Sequence, residues 1–311
     1  MPGAYAHMTA VNEAKNSLEN QAGFPVACIP VVLDWFKFCE LGAVSPDYPY
    51  LDIADGASAA AWADQMHWQH AAGRIAAGIG VLKRMPTSRS RDKSLAWLLG
   101  FTAHVVMDAT VHPVVNLKVG EPYEEHKLAH RICEMHQDTY IFQSRMNLDI
   151  HYSSYLKHGI CKCSDPTDED KLDPDIFYVW NEMFKSTDMG LYIQNKPDMH
   201  AWHDCFEDIV DHIADNRLVA LARHVMPGAL DGKVYPLFED VDMQYIAELA
   251  VPSGGVMHYD GIFDKGVANV REAWAVVASD IWGSTALATG YLRDWNLDNG
   301  KDETNTKTFW S

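Results

Sequence analysis

Residues 101–138 read FTAHVVMDATVHPVVNLKVGEPYEEHKLAHRICEMHQD, and in them His104, Asp108 and His112, then His126, His130, Glu134 and Asp138, recur every four positions. Residues four apart on an α-helix are offset by about 40° around the axis, so each set forms one stripe along one face. Leu95, Leu98, Leu99, Phe101, Val105 and Val106 give the first stripe apolar neighbours, which predicts a helix with a buried face. Imidazoles and carboxylates in such a setting are costly to bury unless a cation neutralises them, and divalent zinc takes this mixture of nitrogen and oxygen donors. The spacing therefore predicts two helices that each carry half of a metal site.

The rest of the chain reads as helical scaffolding. Helices are expected over Met8–Ser17, from near Pro30 to Leu41, over Ala57–Leu82 with His67 and His70 near its middle, and over Leu95–His112, where Pro113 is expected to stop the helix. Pro122, with Glu124 and Glu125 behind it, starts the second donor helix with acid in its first turn. Gly42–Asp55, with Pro46, Asp47, Pro49, Asp52 and Asp55, reads as an ordered acidic loop, and Lys83–Lys93 as a solvated basic link. Further on, Cys161–Asp170 reads as a polar surface linker. Helical patterns follow over Asp173–Lys185, Asp198–Val225, Val241–Leu249 and Tyr259–Trp282, the last open to extension toward Trp295. Nothing strand-like is sustained, and the polar tail Asn296–Ser311 is expected to fray. The fold class is thus all-α, a multi-helix bundle with residues 1–150 as metal-binding core and residues 151–311 as a helical remainder packed on it within one continuous domain.

With 48% apolar residues in 311, the chain can bury a sizeable core, while a formal charge of −18 repels long polyanions and disfavours a broad grip on nucleic acid. The six cysteines show no paired framework spacing, so free thiols in a reducing compartment fit best. No basic region followed by an apolar run opens the sequence, so the expected location is cytoplasmic, or exported without a classical signal peptide. Glycine-rich phosphate loops, dinucleotide fingerprints and nucleophile elbows are missing, and the Glu-x-x-His pairs of a di-iron bundle do not occur in the donor stretch. His200, His203, His212, His224 and His258 have no comparable spacing and read as ordinary core or surface residues; Cys161 and Cys163, near His158, form a lone pair too weak for a metal knuckle.

Taken together, these residues resemble the zinc-dependent phospholipase C and S1/P1 nuclease superfamily, helical enzymes with clustered zinc ions. The likeness rests on His104, Asp108 and His112, on His130 with Glu134, on the Pro46-Asp47 loop followed by Met66-His67-Trp68, and on an N-terminus that places His7 shortly after Pro2, at the nuclease-branch spacing. Pro2 stands where the family has Trp, and no lipid-binding β-sandwich follows. Carried over to these positions, the resemblance implies two or three zinc ions: one on Asp47, His67, His104 and Asp108, a second on His112, His130 and Glu134, and a third on Pro2, His7 and a bridging Asp108. Asp52 or Asp55 stands as an alternative to Asp47, His70 and His126 as alternative or outer residues, and Asp138 as an outer residue that orients a ligand.

The implied activity is hydrolysis of a phosphodiester by metal-activated water, with Asp47 orienting the water or taking its proton and Asp108 indispensable. A phospholipid or other small phosphodiester is the expected substrate, with peripheral membrane contact a corollary and the oligomeric state open. The alternatives are a single-strand nuclease of the S1/P1 type and a non-catalytic, metal-stabilised helical interaction protein.

Overall fold

The computed structural model describes residues 3–52, 54–151, 154–214, 235–283 and 285–311. In chain order its helices are α1 (Ala4–Lys15), α2 (Ile29–Asp34), α3 (Phe36–Val44), α4 (Ala57–Trp68), α5 (Ala71–Arg84), α6 (Arg89–Val119), α7 (Tyr123–Met146) and α8 (Tyr155–His158). After a hairpin of β1 (Ser164–Asp165) and β2 (Asp168–Leu172) come α9 (Pro174–Thr187), α10 (Met189–Gln194) and α11 (Met199–Ala214). A second hairpin, β3 (Leu249–Ala250) with β4 (Val256–Met257), precedes α12 (Tyr259–Trp282) and α13 (Leu287–Tyr291). Both hairpins are antiparallel and short, and helices form the architecture.

The axis of the fold is α6, in which every residue from Ser94 to Asn116 is buried. It is long and apolar enough to cross a membrane, yet that apolar window is wholly covered by the other helices. Ser88 caps it, its side chain accepting from Arg91 N at 3.3 Å. Against it lies α3, so close that a Cβ on Gly42 would stand 2.0 Å from Trp97 O and one on Gly100 would stand 1.9 Å from Cys39 O. Only glycine at both positions lets the two backbones meet, and the contact carries Ala43 O to within 2.8 Å of His104 Nδ1. On another side of α6, Trp274 of α12 donates to Leu99 O at 2.8 Å.

Several sequence expectations are corrected. Pro113 does not stop α6, which continues to Val119. A proline here leaves the Ala109 carbonyl without its usual N–H partner, and the C-terminal segment packs over the gap. Gly300, at φ +68°, sits where a Cβ would meet Ala109 O at 2.4 Å and Pro113 Cγ at 2.5 Å, and Trp310 Nε1 donates to Thr110 O at 2.8 Å. The tail is therefore not frayed: Leu297, Phe309 and Trp310 are buried. The helix expected over Ala57–Leu82 is two, broken where Gln69 is extended and His70 is left-handed. Trp35 likewise separates α2 from α3.

The basic link shrinks to residues 85–88, because α5 runs through Arg84 and α6 begins at Arg89. Its charges are put to use: Lys93 pairs with Asp173 at 2.6 Å and Asp175 at 2.7 Å, and Arg91 lies over the Trp282 ring. Cys163, expected on the surface, is buried. In place of a helix over Val241–Leu249 there is one 3₁₀ turn, Met243–Tyr245, and then β3, with left-handed Glu248 and the glycines Gly254 and Gly255 directing the chain into a hairpin. Gly283 ends α12, and α13 is a separate helix whose first amides are capped by Asp280, from Leu287 N at 2.7 Å and Ala288 N at 2.9 Å. The pattern expected over Asp198–Val225 is seen as α11, and its remainder, with His224, lies outside the described residues.

The glycine contact gives a direct test. Gly100→Ala is expected to force α3 and α6 apart and to cost about 3 kcal/mol, whereas Gly190→Ala, whose Cβ would meet nothing within 4 Å inside α10, should be neutral or stabilising by up to about 1 kcal/mol. Urea denaturation of the two variants checks both signs.

Candidate metal centre

Five elements deliver the donors. The stripe on α6 presents His104, Asp108 and His112, all at 0% exposure. His7 comes from α1, Asp47 from the 3₁₀ segment Ser45–Leu51, His67 from the end of α4, and His130 with Glu134 from α7. Three groups of donor atoms converge, each with its members within 4.8 Å of one another: His7, His104 and Asp108; Asp47, His67 and His104; and His112, His130 and Glu134. The first two share His104. Around Asp108, Oδ1 lies 3.2 Å from His7 Nε2, and Oδ2 lies 3.3 Å from His104 Nε2 and 3.7 Å from His67 Nε2. Asp47 Oδ1 is 3.4 Å from His67 Nε2. In the third group, Glu134 Oε1 is 3.8 Å from His112 Nε2 and 3.9 Å from His130 Nδ1.

The outward nitrogen of each of these rings, His7 excepted, meets a main-chain carbonyl. His67 Nδ1 donates to Ala63 O at 2.6 Å, His104 Nδ1 to Ala43 O at 2.8 Å, His112 Nδ1 to Leu297 O, and His130 Nε2 to Gly120 O at 3.3 Å. A carbonyl only accepts, so in each ring that nitrogen carries a proton, and whenever the ring is neutral the inward one presents a lone pair. The consequence is a cavity lined by acceptors. His67 Nε2 and His104 Nε2 stand 3.3 Å apart. Among the described residues, both oxygens of Asp108, Asp47 Oδ1, His7 Nε2, His112 Nε2 and His130 Nδ1 are buried with no hydrogen-bond partner.

One proton can sit between a single pair of lone pairs, but it cannot serve all of these atoms. Burial by itself would push the Asp108 carboxyl up, yet His104 and His7 beside it hold it far below the ordinary carboxylate range, so it stays an anion. Burial, then the neighbouring His104, push His7 down to about 4, which keeps its ring neutral at neutral pH. His104 responds the other way, because Asp108 and Asp47 outweigh its burial and raise it. Imidazole nitrogens and carboxylate oxygens directed at common points, oriented from behind by carbonyls, are the donor set that zinc takes.

The other sequence candidates fall elsewhere. Asp52 is buried but accepts from Asp55 N at 3.0 Å within its own loop, and it is Asp47 that reaches His67. His70 is exposed at the start of α5. His126 marks a kink in α7, at φ −122° and ψ 15°, and its ring packs against Gly120. Asp138 touches none of the donors; it accepts from the first amides of α1. Pro2 lies outside the described residues. His203, expected to be an ordinary core or surface histidine, is buried with Nδ1 3.4 Å from Tyr48 Oη and Nε2 3.3 Å from Ser164 Oγ.

Sequence reasoning missed the cavity beside the donors. It measures about 600 Å³ and is lined by Trp68, Asn116, Glu121, Pro122, Tyr123, Asn296, Asp298 and Asn299. The Tyr123 ring stands edge-on to His130 with centroids 5.1 Å apart, and Trp68 Nε1 donates to Asp298 Oδ2 at 2.5 Å. Leu297 joins both sides of the centre, its N–H donating to His67 O at 2.7 Å and its carbonyl accepting from His112. The one signal available beforehand was position: Trp68 follows His67, and Asn116 stands one turn beyond His112.

Removal of zinc by a strong chelator is expected to lower the melting temperature of the wild type, because Asp108 is then left charged among lone pairs. Asp108→Asn should reverse the order: its metal-free form at least as stable as the metal-free wild type, its zinc-loaded form far less stable than the loaded wild type. Paired thermal scans with metal analysis check this.

A sequence profile of the zinc dependent phospholipase C family matches residues 6–207. Comparison with curated proteins and with solved structures gave no match. The matched span exceeds half of the chain and includes every donor residue described above, and the chain therefore belongs to the zinc-dependent phospholipase C family of hydrolases.

Proposed function

We propose that the chain hydrolyses small phosphodiesters, with phospholipid head groups as the preferred class. The observation that carries this reading is the convergence of three donor groups, eight residues in all, beside a cavity large enough for a head group. When bound, zinc supplies Lewis-acid charge for phosphoryl oxygens and brings the pKa of water toward neutrality. The protein's own residues do the rest. Asp108, fully buried and held anionic, draws positive charge to the junction of the first two groups. Asp47 is the carboxylate with access, its side chain 15% exposed where Asp108 has 0%. It is the group placed to hold a water by one proton and to accept that proton as the water attacks. Carbonyls of Ala43, Ala63, Gly120 and Leu297 keep the imidazoles from turning away.

The cavity lining favours a neutral or cationic head group. Glu121 and Asp298 are acidic, Trp68 and Tyr123 offer ring faces, and among the described residues no lysine or arginine lines it. With a chain charge of −18, a long polyanion is disfavoured. The same two aromatic rings favour a second reading, since they suit the stacking of an unpaired base, as in a single-strand nuclease.

Turnover of phosphatidylcholine vesicles, single-stranded DNA and bis-nitrophenyl phosphate by the zinc-loaded protein separates these readings. Hydrolysis of the vesicles over DNA is the expected result. Asp47→Asn should lose about 10²- to 10⁴-fold in kcat even when assayed at saturating zinc, and Asp108→Asn should lose zinc and activity together. A folded, zinc-loaded wild type that turns over none of the three overturns the proposal.

A further inference from the structure

The helix that carries His7 begins without a cap of its own. Gly3 stands at the N-cap with no side chain to offer, and the first turn of α1 has no acidic residue. The first amides of a helix need acceptors, and here the acceptor comes from another helix. Asp138 of α7, at 0% exposure, takes Ala6 N on Oδ1 at 2.9 Å and Tyr5 N on Oδ2 at 3.3 Å. Tyr235 Oη donates to the same Oδ2 at 3.0 Å. The approach depends on Gly3, where a Cβ would stand 2.1 Å from Asp138 Oδ2. Tyr5 is then held between Phe142 and Tyr235, with ring centroids at 4.9 Å and 5.5 Å.

Asp138 lies one helical turn beyond Glu134 of the third donor group, and Ala6 is the residue before His7 of the first. Its contacts thus join the helix of one group to the helix of another. His7 reaches Asp108 Oδ1 at 3.2 Å and stacks on His104 at 4.0 Å between ring centroids. Neither contact holds the first turn of α1, whereas the two hydrogen bonds from Asp138 do; the far end is held separately, by Asn12 Nδ2 on Glu40 Oε1 at 2.8 Å and by Arg271 on Glu13 O at 2.8 Å.

We propose that Asp138 is a positioning residue which, by capping α1 from α7, sets His7 against Asp108 and so determines whether the metal position formed by those two residues fills. It acts through the α1 backbone and touches no donor. The inference rests on zinc as the bound metal and not on the identity of the substrate.

The test is zinc per folded chain, with affinity by chelator competition, for the wild type, His7→Ala, Asp138→Ala, Asp138→Asn, Gly3→Ala and His130→Ala. His7→Ala defines the ion that depends on α1, and His130→Ala defines the ion of the third group. Asp138→Ala and Gly3→Ala are expected to lose the His7-dependent ion, or to hold it at least about tenfold more weakly, while keeping the His130-dependent one. Asp138→Asn, which still offers one acceptor oxygen, should fall between them and the wild type. Should Asp138→Ala fail to fold, Gly3→Ala disturbs the same contact from the other side. A folded Asp138→Ala or Gly3→Ala with the zinc content and affinity of the wild type overturns the proposal, as does a wild type whose zinc is unaffected by His7→Ala, or selective loss of the His130-dependent ion. A wild type that binds zinc in this pattern and hydrolyses no phosphodiester leaves the inference standing and removes only the functional reading.

Discussion

A carboxylate with no exposed atom and no hydrogen-bond donor among the described residues, Asp108, sets the terms for the whole molecule. Buried, and kept anionic by His104 and His7 beside it, it demands compensating positive charge in the core, from protonated rings or from a bound cation. The outward nitrogens of His104 and His67 are spent on carbonyls, so only their inward nitrogens face the carboxylates. Such an arrangement is poor as an apolar core and good as a receptacle for divalent charge. Metal binding is therefore expected to be linked to folding.

The scaffold answers to the same demand. Each inward-facing ring must be held from behind, and three of the holding carbonyls belong to elements that had to be brought unusually near or positioned by tight local geometry. Gly42 and Gly100 allow α3 to approach α6 so that Ala43 meets His104. Gly120, at φ +108°, turns the chain between α6 and α7 and presents its carbonyl to His130. Leu297 reaches back from the C-terminal segment to His112. Packing of large side chains such as Trp97, Trp180 and Trp274, all fully buried, makes these approaches rigid, and rigidity is what lets an imidazole be a selective ligand.

How much of this is visible in the sequence depends on the range of the interaction. The four-residue spacing of His104, Asp108 and His112, and of His130 and Glu134, is a local property of a helix, and the structure does bring those residues together on α6 and α7. His7, Asp47 and His67 are legible through family resemblance and not through spacing, because each reaches the centre across a long stretch of intervening chain whose path no periodicity specifies. Local rules failed where tertiary packing overrode them. Pro113 carries a real local cost, but Gly300 and Trp310 cover the site and α6 continues. Polarity makes Asn296–Ser311 look solvated, although its backbone, which composition does not encode, forms part of the centre. His126 shares the spacing of the donors and misleads, because a kink in α7 at that residue turns it out of the stripe.

Leu297 also bears on how the protein is made. It lies 185 positions after His112, and its N–H holds the His67 carbonyl. A ribosome that has delivered the chain as far as Tyr291 has synthesised every donor side chain, yet the His112 ring still lacks its carbonyl and the His67 carbonyl its N–H partner. Two main-chain contacts of the centre thus form only once the segment around Leu297 has docked.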